Sequence, residues 1–326
     1  MIKTALFDAR EYDRPGFIEY GEKNGILFTF FETKLTSDTV PLAKGFDAVC
    51  VFVNDTVDKA VLERLCEYGI RLVALRCAGF NNVDLKYAKG KITVLRVPAY
   101  SPQTVAEHTM AMLLCSIRRI HKAYIRTRNF NFSVNDFTGF ELCGKTVGVI
   151  GTGKIGRAFI KICNGFGMKI LAYDPYPADD VCAEYVSLDR LFRESDVISL
   201  HCPLTKENTH IINENSIAKM KKGVIILNTS RGYLIDTEAL IDGIKKKQIG
   251  AACLDVYEEE SDVFFEDFSG HIVQDDTLAR LISMPNVIVT SHQAFLTKEA
   301  LGNIADTTCD NIKKFFEGKI QNEISL

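Results

Sequence analysis

The feature that most constrains the fold of this sequence is an alternation of short apolar runs with segments of helical spacing. The stretches 147–150 and 224–227 are nearly unbroken runs of apolar residues, which is typical of strands buried on both faces of a parallel sheet. Segments such as 154–166 and 237–247 instead fit helices that connect such strands. The alternation predicts an α/β protein with doubly wound parallel sheets.

The alternation occurs in two successive series, which predicts two domains. The first series has predicted strands at 4–7, 25–30, 48–53, 72–76 and 93–97, with a helix at 57–67. The second has predicted strands at 146–150, 169–173, 197–200, 223–228, 250–254 and 286–290. A turn-rich joint at 98–102 and one long helix over 103–128 separate the two series. A last helix at 296–317 is predicted to pack back on the first domain.

Composition and charge exclude several classes of protein. The 326 residues include 39 Lys and Arg against 42 Asp and Glu, so there is no broad basic face for a nucleic-acid partner. No apolar run approaches the ~20 residues that span a bilayer, and residues 1–8 fit a first strand better than a secretory signal. The ten cysteines form no C-x-x-C pair and most lie in apolar surroundings. They indicate buried thiols in a cytoplasmic protein, and no metal site is predicted.

The strongest local motif is a G-x-G-x-x-G pattern between the strand at 146–150 and the following helix. It consists of Gly151, Gly153 and Gly156. In this context the first glycine permits a tight turn, the second lets a pyrophosphate approach the backbone, and the third allows close packing of helix on strand. The N–H groups at the start of the helix then favour phosphate. The motif predicts a dinucleotide site.

An acidic residue at the end of the next strand indicates which dinucleotide binds. Asp174 follows the strand 169–173, where a carboxylate can accept hydrogen bonds from the ribose hydroxyls and repels a 2′-phosphate. NAD is therefore predicted in preference to NADP. The alternative is that Asp174 caps the turn before Pro175.

Three further strands of the second series are followed by residues suited to catalysis. Arg231 follows the strand 223–228, Glu260 comes shortly after the strand 250–254, and His292 follows the strand 286–290. Each residue alone has a structural explanation, as a surface arginine, part of a solvated acidic run or a core histidine. Because all three follow strands of the sheet that carries the glycine motif, they are predicted to share one site.

These residues and several other segments resemble the D-isomer-specific 2-hydroxyacid dehydrogenases. The resemblance covers essentially the whole chain, and its motifs are at 76–82, 97–102, 106–108, 151–156, 201–205, 228–232, 254–260 and 291–295. The segments 264–267 and 274–276 are similar to the lactate-type subgroup in particular.

The resemblance implies roles for individual residues. The catalytic residues would be Arg231, Glu260 and His292. The NAD-binding residues would be Gly151, Gly153, Lys154, Ile155, Gly156, Asp174, Cys202, Pro203, Asn208, Thr229, Ser230, Arg231 and Asp255. The substrate would be bound by Arg76, Ala78, Gly79, Tyr100, Arg231, His292 and Phe295, with the N–H groups of Ala78 and Gly79 holding its carboxylate.

The resemblance also implies an architecture and a reaction. A discontinuous substrate domain would comprise residues 1–99 and 297–326, and a Rossmann-like NAD domain would comprise 100–296, with a cleft between two flavodoxin-like or Rossmann-like folds. The expected reaction is NADH-dependent reduction of pyruvate to D-lactate by a homodimer or homotetramer without a nucleic-acid or membrane partner. The alternatives are a dehydrogenase for a bulkier acid, such as hydroxyisocaproate or phenyllactate, and an NAD-sensing protein similar to the carboxy-terminal binding corepressors.

Overall fold

The computed structural model describes residues 1–260 and 263–324. The chain divides into two compact units. The first consists of Met1–Ser101 and Leu296–Leu326, and the second of Pro102–Phe295. Each unit is built on one parallel sheet with helices between its strands, which confirms the predicted fold class.

The first unit contains a five-stranded parallel sheet. Its elements up to residue 95 are β1 (Ile2–Leu6), α1 (Arg14–Asn24), β2 (Ile26–Phe30), a 3₁₀ turn (Val40–Ala43), β3 (Ala48–Val51), α2 (Lys59–Glu67), β4 (Leu72–Leu75), α3 (Leu85–Ala88) and β5 (Thr93–Leu95). The strand order is β2-β1-β3-β4-β5. Every residue of β3 and β4 is buried, as the apolar runs predict.

The second unit begins with two helices where the sequence predicts one. The helix α4 (Pro102–Arg118) ends before α5 (Ile120–Arg128), and Arg119 between them has a φ of 55°. The prediction of a continuous helix over 103–128 is therefore wrong, because a left-handed residue interrupts the helical hydrogen bonds. No glycine or proline marks this break.

A seven-stranded parallel sheet forms the centre of the second unit. Its elements are β6 (Thr146–Ile150), α6 (Lys154–Gly165), β7 (Lys169–Tyr173), β8 (Glu184–Tyr185), α7 (Leu188–Glu194), β9 (Val197–Leu200), α8 (Glu214–Lys219), β10 (Val224–Asn228), a 3₁₀ turn (Gly232–Leu234), α9 (Thr237–Lys245), β11 (Ile249–Leu254), α10 (Asp276–Ser283) and β12 (Val287–Val289). The strand order is β12-β11-β10-β9-β6-β7-β8. The direction of winding reverses between β6 and β9, which is where sheets of this type bind ligands at the carboxyl ends of their strands.

The chain returns to the first unit through α11 (Lys298–Phe316), which packs against α1 and β4. This agrees with the prediction that the last helix packs on the first domain. Within residues 1–260 and 263–324, no helix is both long enough and apolar enough to cross a membrane.

Candidate active site

The glycine loop after β6 has the geometry that the motif predicts. Gly151 has a φ of 96°, and a Cβ atom there would lie 2.6 Å from the Cys202 nitrogen. A Cβ atom on Gly156 would lie 2.0 Å from the Gly151 carbonyl oxygen. These two positions exclude a side chain for internal reasons, whereas a Cβ atom on Gly153 would meet no atom within 4 Å. The loop therefore leaves open space at its second glycine.

The N-terminus of α6 faces this open position. Gly153 is its N-cap residue, and no described side chain caps the helix there. The first N–H groups of the helix, starting with those of Lys154 and Ile155, thus lack the side-chain acceptor that usually caps a helix. The helix dipole adds partial positive charge at the same place. The loop and helix together fit the pyrophosphate of a dinucleotide.

Asp174 lies just beyond β7 and contacts the same loop. Its Oδ2 accepts hydrogen bonds from the Thr152 N–H at 2.7 Å and from the Thr152 hydroxyl at 3.2 Å. Its Oδ1 accepts from the Tyr176 N–H at 2.9 Å, so Asp174 caps the turn, and its contact with the ribose stays a prediction. Because each carboxylate oxygen can accept more than one hydrogen bond, these contacts orient the carboxylate without exhausting it.

Two of the residues predicted to bind the cofactor, Ser230 and Asn208, hold the loop that follows β9. The Ser230 hydroxyl donates to the Cys202 carbonyl at 2.6 Å, and the Asn208 amide donates to the Pro203 carbonyl at 2.7 Å. Burial lowers the pKa of neighbouring His201 to about 3, so that ring is neutral at physiological pH and is not a proton donor for catalysis. The hydrogen bonds of Ser230 and Asn208 fix the 202–208 loop, whose Cys202 nitrogen lies against Gly151 of the glycine loop.

Arg231 follows β10 at the same edge of the sheet. The Asn228 amide donates to its carbonyl oxygen at 2.9 Å, and its own guanidinium donates to the Ser230 carbonyl at 2.6 Å. The preceding Thr229 shares a 2.8 Å hydrogen bond with Thr109 of α4. The arginine is partly exposed, and most of its five N–H donors remain for a ligand.

His292 and Glu260, which are 32 residues apart in sequence, form a direct pair. The distance from His292 Nδ1 to Glu260 Oε1 is 2.8 Å. The side chains are 20% and 22% exposed, respectively. The other carboxylate oxygen of Glu260 accepts from the Tyr257 N–H at 3.0 Å, which holds it in place. The pair therefore sets the tautomer of the imidazole and leaves Nε2 for a ligand.

Asp255, which the resemblance places among the cofactor residues, contacts the chain that follows His292. Its side chain is fully buried, and its carboxylate accepts hydrogen bonds from the N–H groups of Gln293 and Ala294, both at 2.9 Å. These hydrogen bonds hold the chain after His292, and a cofactor contact by Asp255 stays a prediction.

Arg76 in the first unit is likewise buried, with 2% of its surface exposed. Its guanidinium donates to the Asp8 carbonyl at 2.6 Å, contacts the Asp13 carboxylate at 3.4 Å and lies 4.6 Å from the centre of the Phe52 ring. These contacts are internal to the first unit, and substrate binding by Arg76 stays a prediction. Arg76 joins the carboxyl ends of β1, β3 and β4.

The loop that follows Arg76 is held through its carbonyl oxygens. The Arg96 guanidinium donates to the Ala78 carbonyl at 3.0 Å, and the Cys77 thiol donates to the Gly79 carbonyl at 3.3 Å. In the part of the chain that the structure describes, the N–H groups of Ala78 and Gly79 have no acceptor. Both remain available to an anion.

The last two predicted substrate residues differ in exposure. Tyr100 is partly exposed, and its carbonyl oxygen accepts a hydrogen bond from Asn303 at 2.7 Å. Phe295 ends the second unit and is 7% exposed, so only a small part of its ring is available to a ligand.

The second unit thus places the glycine loop, Arg231 and the His292–Glu260 pair at the carboxyl ends of one parallel sheet. A sequence model described as D-isomer specific 2-hydroxyacid dehydrogenase, NAD binding domain, matches residues 110–294, more than half of the chain. The chain belongs to this family. It is therefore an NAD-dependent dehydrogenase, and the predicted cofactor class is confirmed.

Individual relatives of this 2-hydroxyacid dehydrogenase match it over nearly their full length. The D-lactate dehydrogenase of Escherichia coli is 51% identical over 322 residues, which are 98% of each chain. The solved apo structure of D-lactate dehydrogenase from Escherichia coli has a TM-score of 0.91 and 48% identity, and the match covers 99% of this chain and 100% of that one. A solved D-2-hydroxyisocaproate dehydrogenase has a TM-score of 0.87 and 34% identity, with 99% of each chain covered.

One residue beside Asp255, His108, had no role predicted from the sequence. His108, on α4, has its Nε2 atom 3.4 Å from Asp255 Oδ1 and 3.3 Å from the Thr290 hydroxyl. The 106–108 segment contributed to the family resemblance, but the partner of His108 is distant in sequence and only the fold reveals it.

Proposed function

We propose that this dehydrogenase reduces pyruvate to D-lactate with NADH. The observation that carries the proposal is the 2.8 Å pair of His292 and Glu260 at the carboxyl edge of the sheet that also presents Arg231 and the glycine loop. The 51% identity to a D-lactate dehydrogenase over 98% of the chain supports the choice of substrate.

The cofactor would be held by the glycine loop and the N-terminus of α6, with Asp174 directed at its ribose. When bound, NADH supplies the hydride that is transferred to the carbonyl carbon. The open space at Gly153 and the uncapped helix end support this assignment. Cys202, Pro203, Asn208, Thr229 and Ser230 belong to the loops that would border the cofactor.

His292 would supply the proton that the reduced carbonyl oxygen requires. Its Nδ1 is engaged by Glu260, so Nε2 is the nitrogen that donates. The contact with Glu260 fixes the tautomer and orients the ring for this transfer. After transfer the neutral imidazole must regain a proton from solvent, and its partial exposure allows this.

Arg231 would bind the substrate carboxylate, and the N–H groups of Ala78 and Gly79 in the first unit are separately proposed as donors to an anion. A guanidinium presents two parallel N–H donors to a carboxylate or to adjacent carboxylate and carbonyl oxygens. The two loop N–H groups have no acceptor among the described residues, which supports their role. Tyr100 in the first unit and Phe295 in the second are each proposed as substrate contacts.

We assign residues 1–99 and 297–326 to the substrate domain and residues 100–296 to the NAD domain. The units of the structure are close to these limits. We further propose a homo-oligomer, because Phe130, Phe132 and Val134 are 85%, 73% and 78% exposed and such an apolar segment is typical of a contact with another chain. All ten cysteines are free thiols, which supports a cytoplasmic location.

A panel of 2-oxo acids of increasing size tests the proposal. Pyruvate, 2-oxobutyrate, 2-oxoisocaproate and phenylpyruvate are each assayed with NADH and with NADPH. We expect the highest kcat/KM for pyruvate with NADH. A higher value for 2-oxoisocaproate or phenylpyruvate would instead favour the dehydrogenase of bulkier acids, and binding of NADH without any turnover would favour a sensing protein.

A further inference from the structure

The backbone at His292 has a conformation that its surroundings must enforce. Its φ is 51°, in the left-handed region that residues with a Cβ atom seldom occupy and that costs about 1–3 kcal/mol. Such a conformation persists only where neighbouring groups hold it. Because the backbone conformation of His292 sets the direction of its imidazole, the groups that hold this conformation influence catalysis.

Three successive N–H groups in this segment donate to one residue, Asp255. The His292 N–H donates to the Asp255 carbonyl oxygen at 2.8 Å. The Gln293 N–H donates to Oδ1 and the Ala294 N–H donates to Oδ2 of the Asp255 carboxylate, both at 2.9 Å. The position of this one carboxylate therefore fixes the turn that carries His292.

Asp255 is itself held by two side chains. The Thr290 hydroxyl donates to Oδ1 at 2.5 Å, and His108 Nε2 lies 3.4 Å from the same oxygen and 3.3 Å from the hydroxyl oxygen. An ionised carboxylate only accepts hydrogen bonds, and the hydroxyl hydrogen is already used. His108 Nε2 must therefore carry the hydrogen in this contact.

The charge state of Asp255 is consistent with this arrangement. Burial of the carboxyl group raises its pKa, but hydrogen bonds from His108 and Thr290 and the nearby His292 outweigh burial, so the pKa of Asp255 lies below its usual value. A buried carboxylate that stays ionised requires such donors. Thr290 belongs to the same turn as His292, whereas His108 comes from α4 and connects Asp255 to a separate element.

We propose that His108 is a positioning residue, which holds the Asp255 carboxylate so that it clamps Gln293 and Ala294 and keeps His292 in its left-handed, proton-donating orientation. The catalytic part of this inference rests on the proposed function. The competing explanation is that His108 only contributes to the stability of the second unit.

The test compares His108→Leu, which removes the donor, with His108→Gln, which keeps an N–H at a similar distance from the backbone. His121→Leu on α5 is the matched control, because His121 is hydrogen-bonded to Cys115 and not to Asp255. The measurements are kcat and KM for pyruvate, the Kd of NADH, and amide hydrogen exchange at residues 292–294 and 147–150.

We expect His108→Leu to lower kcat about tenfold to a hundredfold, since a hydrogen bond to a charged group is lost, with the Kd of NADH changed less than about twofold. Exchange should increase at 292–294 and stay unchanged at 147–150. His108→Gln should keep at least about a third of wild-type kcat, and the control should match wild type. If His108→Leu does not fold, His108→Asn, whose amide is too short to reach Asp255, replaces it.

If amide hydrogen exchange at 292–294 in His108→Leu is as slow as in wild type, the inference is wrong. Faster exchange at 147–150 to the same degree would also overturn it, because that result shows a general loss of stability. The exchange measurement does not require turnover. A wild-type protein that reduces no 2-oxo acid therefore refutes the proposed function, while the exchange result still decides whether His108 positions the turn.

Discussion

Alanine at the second and the third glycine of the loop should affect different properties. Gly153→Ala should weaken NADH binding with little change in stability, whereas Gly156→Ala should lower the free energy of unfolding. The backbone at Gly153, with φ −64° and ψ −169°, is open to alanine, and the added Cβ atom meets no protein atom within 4 Å. Gly153→Ala should therefore change the free energy of unfolding by less than about 1 kcal/mol. The methyl group instead occupies the space assigned to the pyrophosphate. Loss of one N–H to phosphate hydrogen bond, worth about 1.5–3 kcal/mol, weakens NADH binding about tenfold to a hundredfold.

Gly156→Ala is the matched substitution. Its Cβ atom would lie 2.0 Å from the Gly151 carbonyl oxygen, so α6 must move away from the loop at a cost of about 1–3 kcal/mol in the free energy of unfolding. Urea unfolding and fluorescence titration with NADH measure both quantities for each variant. The reasoning is refuted if Gly153→Ala binds NADH as tightly as wild type, or if Gly156→Ala is as stable as wild type.

Three other substitutions test the predicted roles of Arg231 and Asp174 and the effect of burial on Asp55. Arg231→Lys should lower kcat/KM for pyruvate about a hundredfold because a point charge does not replace a planar two-donor group, and unchanged steady-state kinetics would contradict its role. Asp174→Ala should raise the NADPH to NADH ratio of kcat/KM at least about tenfold by removing the carboxylate that repels a 2′-phosphate; an unchanged ratio removes that assignment. Burial raises the pKa of Asp55 from 3.8 to about 7, so the folded state binds this proton more tightly than the unfolded chain. The resulting stability is complete below pH 3.8 and is lost as the pH rises through 7. The free energy of unfolding of wild type relative to Asp55→Asn, measured in urea, should thus fall between pH 4 and 7, and a rise would contradict the burial argument.

The sequence predicted the sheets well because buried parallel strands are apolar along their whole length. The runs at β6, β7 and β9 match their predicted limits, and the five strands of the first unit lie within two residues of theirs. The two-residue strand β8 (Glu184–Tyr185) was not predicted, since it is short and polar. The break at Arg119 also escaped prediction, because apolar spacing continues across it and no glycine or proline marks it.

Local sequence identified residues near the carboxyl ends of strands but not their partners. Arg231, Glu260 and His292 were found this way, and the structure joins the last two directly. The family resemblance implied that Arg76 binds substrate, but it did not predict that Asp8 and Asp13, which lie far away in the sequence, contact the guanidinium. Which side of the chain such a residue faces depends on contacts that only the folded chain establishes.

Replacement of His292 by asparagine is the most direct test of whether this residue delivers the proton. Asparagine adopts positive φ more readily than most residues, so His292→Asn retains the backbone at 51° while removing the titratable ring. The measurement is the single-turnover rate of NADH oxidation by pyruvate at saturating concentrations. We expect a rate at least about a hundredfold below wild type, with NADH affinity unchanged. A rate within about threefold of wild type would contradict it.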